Sequence, residues 1–208
     1  EEYFKNKEKN EIRYDKLFQK SEIYLKNILD EINKQNLTDE TLVVIFSDHG
    51  TSLGEKIGER AYGSFCYDYT IRTFGCFISP KFQKHLINQQ IRHVDFLPTI
   101  IDLFEIPFDS SFSHFDGQSL IPLFYGKQIP EKIAYVETAN PLKERLPPKK
   151  PNTKCVRTSN WKLIFNEYDD TKELYNLHDD PFEENNLYGT SLSIENELSK
   201  QLNDLNKL

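Results

Sequence analysis

Hydrophobic periodicity changes once in the amino-terminal part of the chain, and the change marks the most informative stretch. Over residues 14–32, Leu17, Phe18, Tyr24, Leu25, Ile28, Leu29 and Ile32 recur every three or four positions, with Ser21 as a small gap. That spacing predicts an amphipathic helix. Residues 33–40 are polar and lead into Leu42-Val43-Val44-Ile45-Phe46, an unbroken apolar run rich in β-branched side chains. Such a run predicts a strand buried on both faces, as in a parallel sheet flanked by helices. The strand ends abruptly on Ser47-Asp48-His49-Gly50.

Farther along, the pattern predicts a long charged loop over residues 55–68, a helical turn over 69–72, and a second buried strand over 74–78 that stops at Ser79-Pro80. A helix is expected over 94–105, with Leu97, Ile100, Ile101 and Phe104 on one face. Asp95 is its candidate cap, and Pro98 is tolerated in the first turn. Residues 108–127 read as irregular. Strands follow over 134–138, 154–158, 161–168 and 173–177, with hairpin chemistry at Ser159-Asn160. The proline-rich, basic segment 141–151 reads as a loop or arm. Ile194, Leu198, Leu202 and Leu205 predict a terminal helix packed on the sheet. The expected organisation is an α/β portion over residues 1–130 and a small antiparallel portion with one helix over 131–208.

Composition narrows the functional classes. A net charge of −7 over 208 residues argues against nucleic acid as a partner, because backbone binding needs concentrated positive charge. Runs such as residues 5–9 read as solvated faces. No apolar segment approaches the roughly 20 residues that span a bilayer, so no membrane segment is expected within these residues. A soluble protein is expected, with a cytoplasmic setting favoured over a periplasmic one. Cys66, Cys76 and Cys155 are odd in number and widely spaced, which predicts buried free thiols rather than a disulfide framework or a structural zinc site. The chain has no methionine and starts Glu1-Glu2, which leads to the expectation of an excerpt from a larger protein, with any targeting or anchoring segment upstream.

The chemistry concentrates at the end of the first strand. In open α/β sheets ligands bind outside the carboxyl ends of strands, which places Asp48 and His49 as candidate metal ligands; the same three residues Asp48-His49-Gly50 also read as an ordinary turn. Oxygen-dominated sites suit calcium, and mixed oxygen and nitrogen ligation suits zinc or manganese. The loop that follows carries Lys56, Arg60 and Tyr62. Cations so placed can hold an oxyanion such as sulfate or phosphate, against the alternative of solvent-facing side chains.

Several stretches together resemble the sulfatase family of the alkaline phosphatase superfamily. Ser47-Asp48-His49-Gly50 with Leu53-Gly54-Glu55 resembles that family's second metal-binding signature, and Tyr67-Asp68 with Ile71-Arg72 resembles the lead into its next strand. Val94-Asp95 with Leu97-Pro98-Thr99, and Asp116-Gly117 with Ser119-Leu120, are similar to two further landmarks. Val156-Arg157-Thr158, Trp161-Lys162-Leu163-Ile164, Glu173-Leu174-Tyr175-Asn176-Leu177, Asp180-Pro181 and Glu184-Asn185-Asn186-Leu187 resemble its carboxyl-terminal subdomain. The resemblance implies an alkaline-phosphatase-like α/β fold, with a mainly parallel sheet flanked by helices, a small C-terminal antiparallel sheet plus helix, and the N-terminal part of the fold absent.

It further implies a hydrolase of sulfuric or phosphoric esters that uses one divalent metal ion, calcium favoured and manganese or zinc open. Asp48 and His49 are the implied ligands, with His49, Lys56, Arg60 and Tyr62 at the catalytic site and a small anionic ester as substrate. The family's nucleophile pattern, Cys/Ser-x-Pro-x-Arg, is found around none of the three cysteines. The implied partner is therefore the missing N-terminal half of the same protein, and the 208 residues alone are expected to be inactive. Tyr62 stands where many relatives carry a lysine or histidine; a phenol donates a hydrogen bond but no charge. Two alternatives remain: a phosphoryl-group transferase on the same fold, and a non-catalytic sulfatase-like binding protein.

Overall fold

The computed structural model describes residues 5–56, 63–107, 115–139, 151–190 and 193–206. Two compact units emerge, one of Glu1–Pro80, Val136–Lys154 and Ile164–Lys172, the other of Lys81–Tyr135, Cys155–Leu163 and Glu173–Leu208.

In the first unit, α1 spans Lys7–Lys34, longer at both ends than the apolar repeat predicts. Its flanks contain no Gly or Pro and add exposed ion pairs, Lys7 to Glu11 four residues apart at the start and Lys34 to Glu31 three apart at the end, which favour continued helix. The chain leaves the helix through Asn36 in the left-handed region, at φ +56°. The predicted apolar stripe divides. Leu25, Leu29 and Ile32 are half-buried, whereas Leu17, Phe18, Tyr24 and Ile28 are exposed. The buried residue of α1 is polar, Asn10.

Strand β1 is Val43–Phe46 and β2 is Gly75–Ile78. They pair antiparallel, Val43 opposite Ile78 and Phe46 opposite Gly75, so this pairing differs from the parallel neighbour expected for β1. A parallel return needs a crossover long enough to carry the chain back to the start of β1. Instead the chain comes back beside its exit: among its described residues the connection holds the single-turn helix α2, Asp68–Ile71, and Ser47 N–H donates to the Phe74 carbonyl at 3.3 Å. The chain thus re-enters the sheet beside the point where it left. Nor are the two strands covered on both faces, since Val43 to Ile45 are half-buried and Phe46, Phe74 and Ile78 are exposed. Cys66 and Cys155 are buried free thiols as expected, but Cys76 is exposed on β2.

The second unit holds α3, Phe96–Leu103, preceded by a 3-10 turn at His93–Asp95, and α4, Ile121–Phe124, which interrupts the stretch expected to be irregular. Asp95 does not cap α3 through its side chain. Its carboxylate is taken instead by Arg92, through N–H at 2.8 Å and Nη2 at 2.8 Å, and by Gln118 N–H at 3.0 Å. The nearly fully buried Asp95 thereby joins the Arg92 turn to the Asp116-Gly117 turn. Gly117 fits because a Cβ there would stand 1.9 Å from the Val94 carbonyl oxygen.

The strands β3 Ala134–Thr138, β4 Thr153–Arg157, β5 Trp161–Asn166 and β6 Thr171–Asn176 form one sheet in sequence order. The β4–β5 and β5–β6 connections are too short for a crossover, so these strands form antiparallel hairpins. Residues 181–188 then run beside β6: Leu187 N–H donates to Leu174 O at 2.8 Å, and Asn186 Oδ1 accepts Leu174 N–H at 2.9 Å. Helix α5, Ser193–Leu205, buries Leu198 and Leu202 and half-buries Ile194 and Leu205. The arm expected over 141–151 falls almost wholly outside the described residues.

Beneath β5 lies an ion pair removed from water, Lys162 Nζ to Glu183 Oε1 at 2.7 Å, with side chains 0% and 1% exposed. Removing one partner takes this ion pair away from a charge that water does not reach. Lys162→Met is expected to cost about 3–5 kcal/mol in chemical denaturation, with much of the loss recovered when Glu183→Leu is added. Histidine 85 offers a pH-linked counterpart. Its Nδ1 faces the Gln83 carbonyl at 3.1 Å and its Nε2 the Leu123 carbonyl at 2.9 Å, and a neutral imidazole has one N–H for two acceptors. The Gln83 hydrogen bond and then the Leu123 bond raise the imidazole pKa, against a small opposing effect of burial. A raised folded-state pKa stabilises fully below the unfolded value and the gain is lost as pH rises through the folded one. An NMR titration of His85 is expected to show a midpoint above 6.5, and His85→Asn to remove this pH dependence of stability.

Candidate functional site

Asp48 and His49 stand where β1 ends and the chain turns. Asp48 Oδ1 accepts the His49 N–H at 2.9 Å, which fixes the carboxylate and leaves Oδ2 facing the imidazole. His49 Nδ1 lies 2.6 Å from the Gly50 carbonyl oxygen. A carbonyl only accepts, so Nδ1 carries the proton and, in the neutral ring, Nε2 presents a lone pair. That Nε2 is 3.7 Å from Asp48 Oδ2. Two donors bonded to one divalent cation at about 2.0–2.6 Å each can span such a gap. An oxygen and a nitrogen donor at this separation fit a metal ion, and their outward exposure, 84% for Asp48 and 43% for His49, leaves them open to one. Among the described residues no third His, Cys, Asp or Glu completes a group able to hold a metal.

Backbone packing sets the direction of this turn. Gly50 N–H donates to the Thr70 carbonyl at 2.7 Å, and a Cβ on Gly50 would stand 2.2 Å from the Tyr69 carbonyl oxygen. Only glycine fits so close to another segment's backbone. Downstream, Ser52 is fully buried and Glu55 folds back onto its own turn, with Oε2 accepting from Leu53 N–H at 2.6 Å, Gly54 N–H at 3.1 Å and Ser52 Oγ at 3.3 Å. On the opposite side Asn10 Nδ2 of α1 donates to the Leu53 carbonyl at 2.9 Å.

Lys56 emerges directly from this turn, half-buried, with Nζ 4.8 Å from the centroid of the Tyr67 ring. That is a cation–π distance. Tyr67 is buried and stacked on Tyr69 at 5.7 Å between centroids. The structure therefore brings Asp48, His49 and Lys56 onto one pinned segment. Arg60 and Tyr62 lie outside the described residues. Two contributors escaped the sequence reading. Asn10 lies beside the charged run 5–9, which reads as a solvated face, and Tyr67 enters the sequence reading only as part of the lead into the next strand, with no sign of its contact with Lys56.

Residues 63–208 match the family described as N-sulphoglucosamine sulphohydrolase, C-terminal, and residues 5–106 match the family described as Sulfatase. The choline-sulfatase of Rhizobium meliloti (strain 1021) is 26% identical over 160 residues, 77% of this chain and 29% of that protein. The solved structure of BT4656 in complex with its substrate D-glucosamine-2-N,6-O-disulfate is similar with a TM-score of 0.68 and 27% identity, over 88% of this chain and 37% of that one. The phosphonate monoester hydrolase SpPMH of Silicibacter pomeroyi shares the fold, with a TM-score of 0.65 at 18% identity over 89% of this chain and 38% of that one. The chain thus spans well under half the length of each of these relatives.

The close approach at Gly50 makes a direct prediction. Gly50→Ala is expected to destabilise the first unit by about 1–3 kcal/mol, the usual cost of forced overpacking, in chemical denaturation, and an unchanged midpoint would show that the Tyr69 backbone can yield.

Proposed function

We propose, from the fact that this chain belongs to the family described as N-sulphoglucosamine sulphohydrolase, C-terminal, within the sulfatases of the alkaline phosphatase superfamily, that it forms the carboxyl-terminal part of a metal-dependent sulfuric ester hydrolase. The observation that carries the reading is the pair Asp48 Oδ2 and His49 Nε2, 3.7 Å apart at the end of β1. A divalent cation held there supplies charge neutralisation for the ester's oxygens as a nucleophile attacks; calcium is favoured, with manganese or zinc as alternatives. Asp48 contributes the hard oxygen and His49 the Nε2 lone pair, with its ring oriented by the Gly50 carbonyl. Lys56 is assigned to the oxyanion of the substrate, with Arg60 and Tyr62 as further donors from the same loop.

The substrate class is a small anionic sulfate ester. The choline-sulfatase and the BT4656 structure with its sulfated glucosamine support sulfate as the group cleaved while differing in the alcohol that carries it. The nucleophile and the remaining ligands are assigned to an amino-terminal half of the same protein. The open apolar side chains of α1 and of the β1–β2 pair support this, since such patches mark interaction surfaces. The fold shared with SpPMH favours a phosphorus ester as the second reading.

The full-length protein is expected to turn over an aryl sulfate, and Asp48→Ala to abolish metal-dependent turnover while leaving the melting temperature near that of the parent. Retained activity would take Asp48 out of the site. Preference for an aryl phosphate or phosphonate would move the assignment to the second reading. The 208 residues alone are expected to release no aryl alcohol, and turnover by them would overturn the half-enzyme assignment.

A further inference from the structure

The turn between His49 and Lys56 is clamped at a single peptide plane. The Leu53–Gly54 peptide has its carbonyl held by Asn10 Nδ2 at 2.9 Å and its N–H held by Glu55 Oε2 at 3.1 Å. Gly54 adopts φ +117°, a conformation that side-chain-bearing residues avoid, so nothing at position 54 itself stops this plane from rotating. The two clamps come from different places, one from helix α1 and one from the turn's own carboxylate. Glu55 also takes Leu53 N–H at 2.6 Å and Ser52 Oγ at 3.3 Å, filling with its own oxygen a concavity of donors of the kind that binds anions. Rotation of the plane would redirect residues 55 and 56 together and lift Lys56 from the Tyr67 ring.

We propose that Asn10 and Glu55 are positioning residues that act through Lys56: by locking the Leu53–Gly54 peptide they hold the lysine ammonium where it meets the anionic group of the substrate. This rests on the assignment of Lys56 to the substrate oxyanion made above. The placement accounts for two features: the buried residue of α1 is an asparagine rather than a hydrophobe, and the carboxylate of Glu55 is spent on its own turn.

The test is a set of double-mutant cycles in the full-length protein, reading kcat and KM for an aryl sulfate together with the melting temperature. Lys56→Ala, Asn10→Ala and Glu55→Ala are each expected to raise KM by about tenfold or more, the scale of misplacing a binding group. Glu55→Gln is expected to recover most of the loss, because an amide oxygen still accepts from the turn's N–H groups. In a Lys56→Ala background, Asn10→Ala and Glu55→Ala are expected to add nothing. Full additivity in that background overturns the inference and makes both residues structural. Should Glu55→Ala fail to fold, the Asn10→Ala and Glu55→Gln cycles with Lys56→Ala decide the question by the same criterion. An unchanged KM for Lys56→Ala alone removes the functional reading of Lys56, whereas a raised KM for Lys56→Ala with an unchanged KM for Asn10→Ala and Glu55→Ala overturns only the positioning.

Discussion

The contact on which the first unit depends is the approach of two backbones at Gly50. With its N–H on the Thr70 carbonyl and no room for a Cβ against Tyr69, the chain leaving β1 is pinned to the segment that leads into β2. That one constraint sets the antiparallel return, puts Ser47 beside Phe74, and leaves Asp48 and His49 projecting from the strand end. A larger residue at position 50 would push the two segments apart and disturb the strand pair together with the Asp48–His49 turn.

A second set of polar contacts extends the same logic outward. Glu55 ties its own turn, Asn10 reaches across from α1 to that turn, and Tyr67 receives Lys56. Each replaces hydration of a backbone group or a cation with a directed partner, which restrains the turn over residues 52–56. In the second unit Asp95 performs a comparable service, gathering Arg92 and Gln118 so that two turns distant in sequence become one structure. The buried Lys162–Glu183 pair does so for β5 and the segment beside β6. Charged residues here specify which loops meet, a task apolar burial performs poorly because it is non-directional.

Much of the fold was legible in order and type of element. The helical repeat of α1, the strands β1 to β6, the helix α3 and the terminal helix α5 follow from period and turn chemistry at residues such as Ser159 and Asn160. The error lay in partners. An apolar run announces a strand, yet Val43 to Phe46 carry no mark of which direction their neighbour runs or how much covers them. Asp95 likewise reads as a cap of α3, because a carboxylate at a helix start looks the same whether it serves that helix or turns back to Arg92 three residues earlier and across to Gln118.

For the site, the linear order supplies the residue types: an acid, an imidazole and a glycine after a strand, and a lysine seven residues beyond His49, within stretches shared with sulfatases. These follow from residue type and local spacing, which survive in a one-dimensional reading. Only the tertiary structure decided the imidazole's proton position, the 3.7 Å separation of the two donors, the grip on the Leu53–Gly54 peptide and the aromatic ring under Lys56. The last two join residues far apart along the chain, Asn10 to Leu53 and Lys56 to Tyr67, and the first two depend on side-chain rotamers and ring orientation. Contacts of that range and direction are set by packing, and no local pattern encodes them.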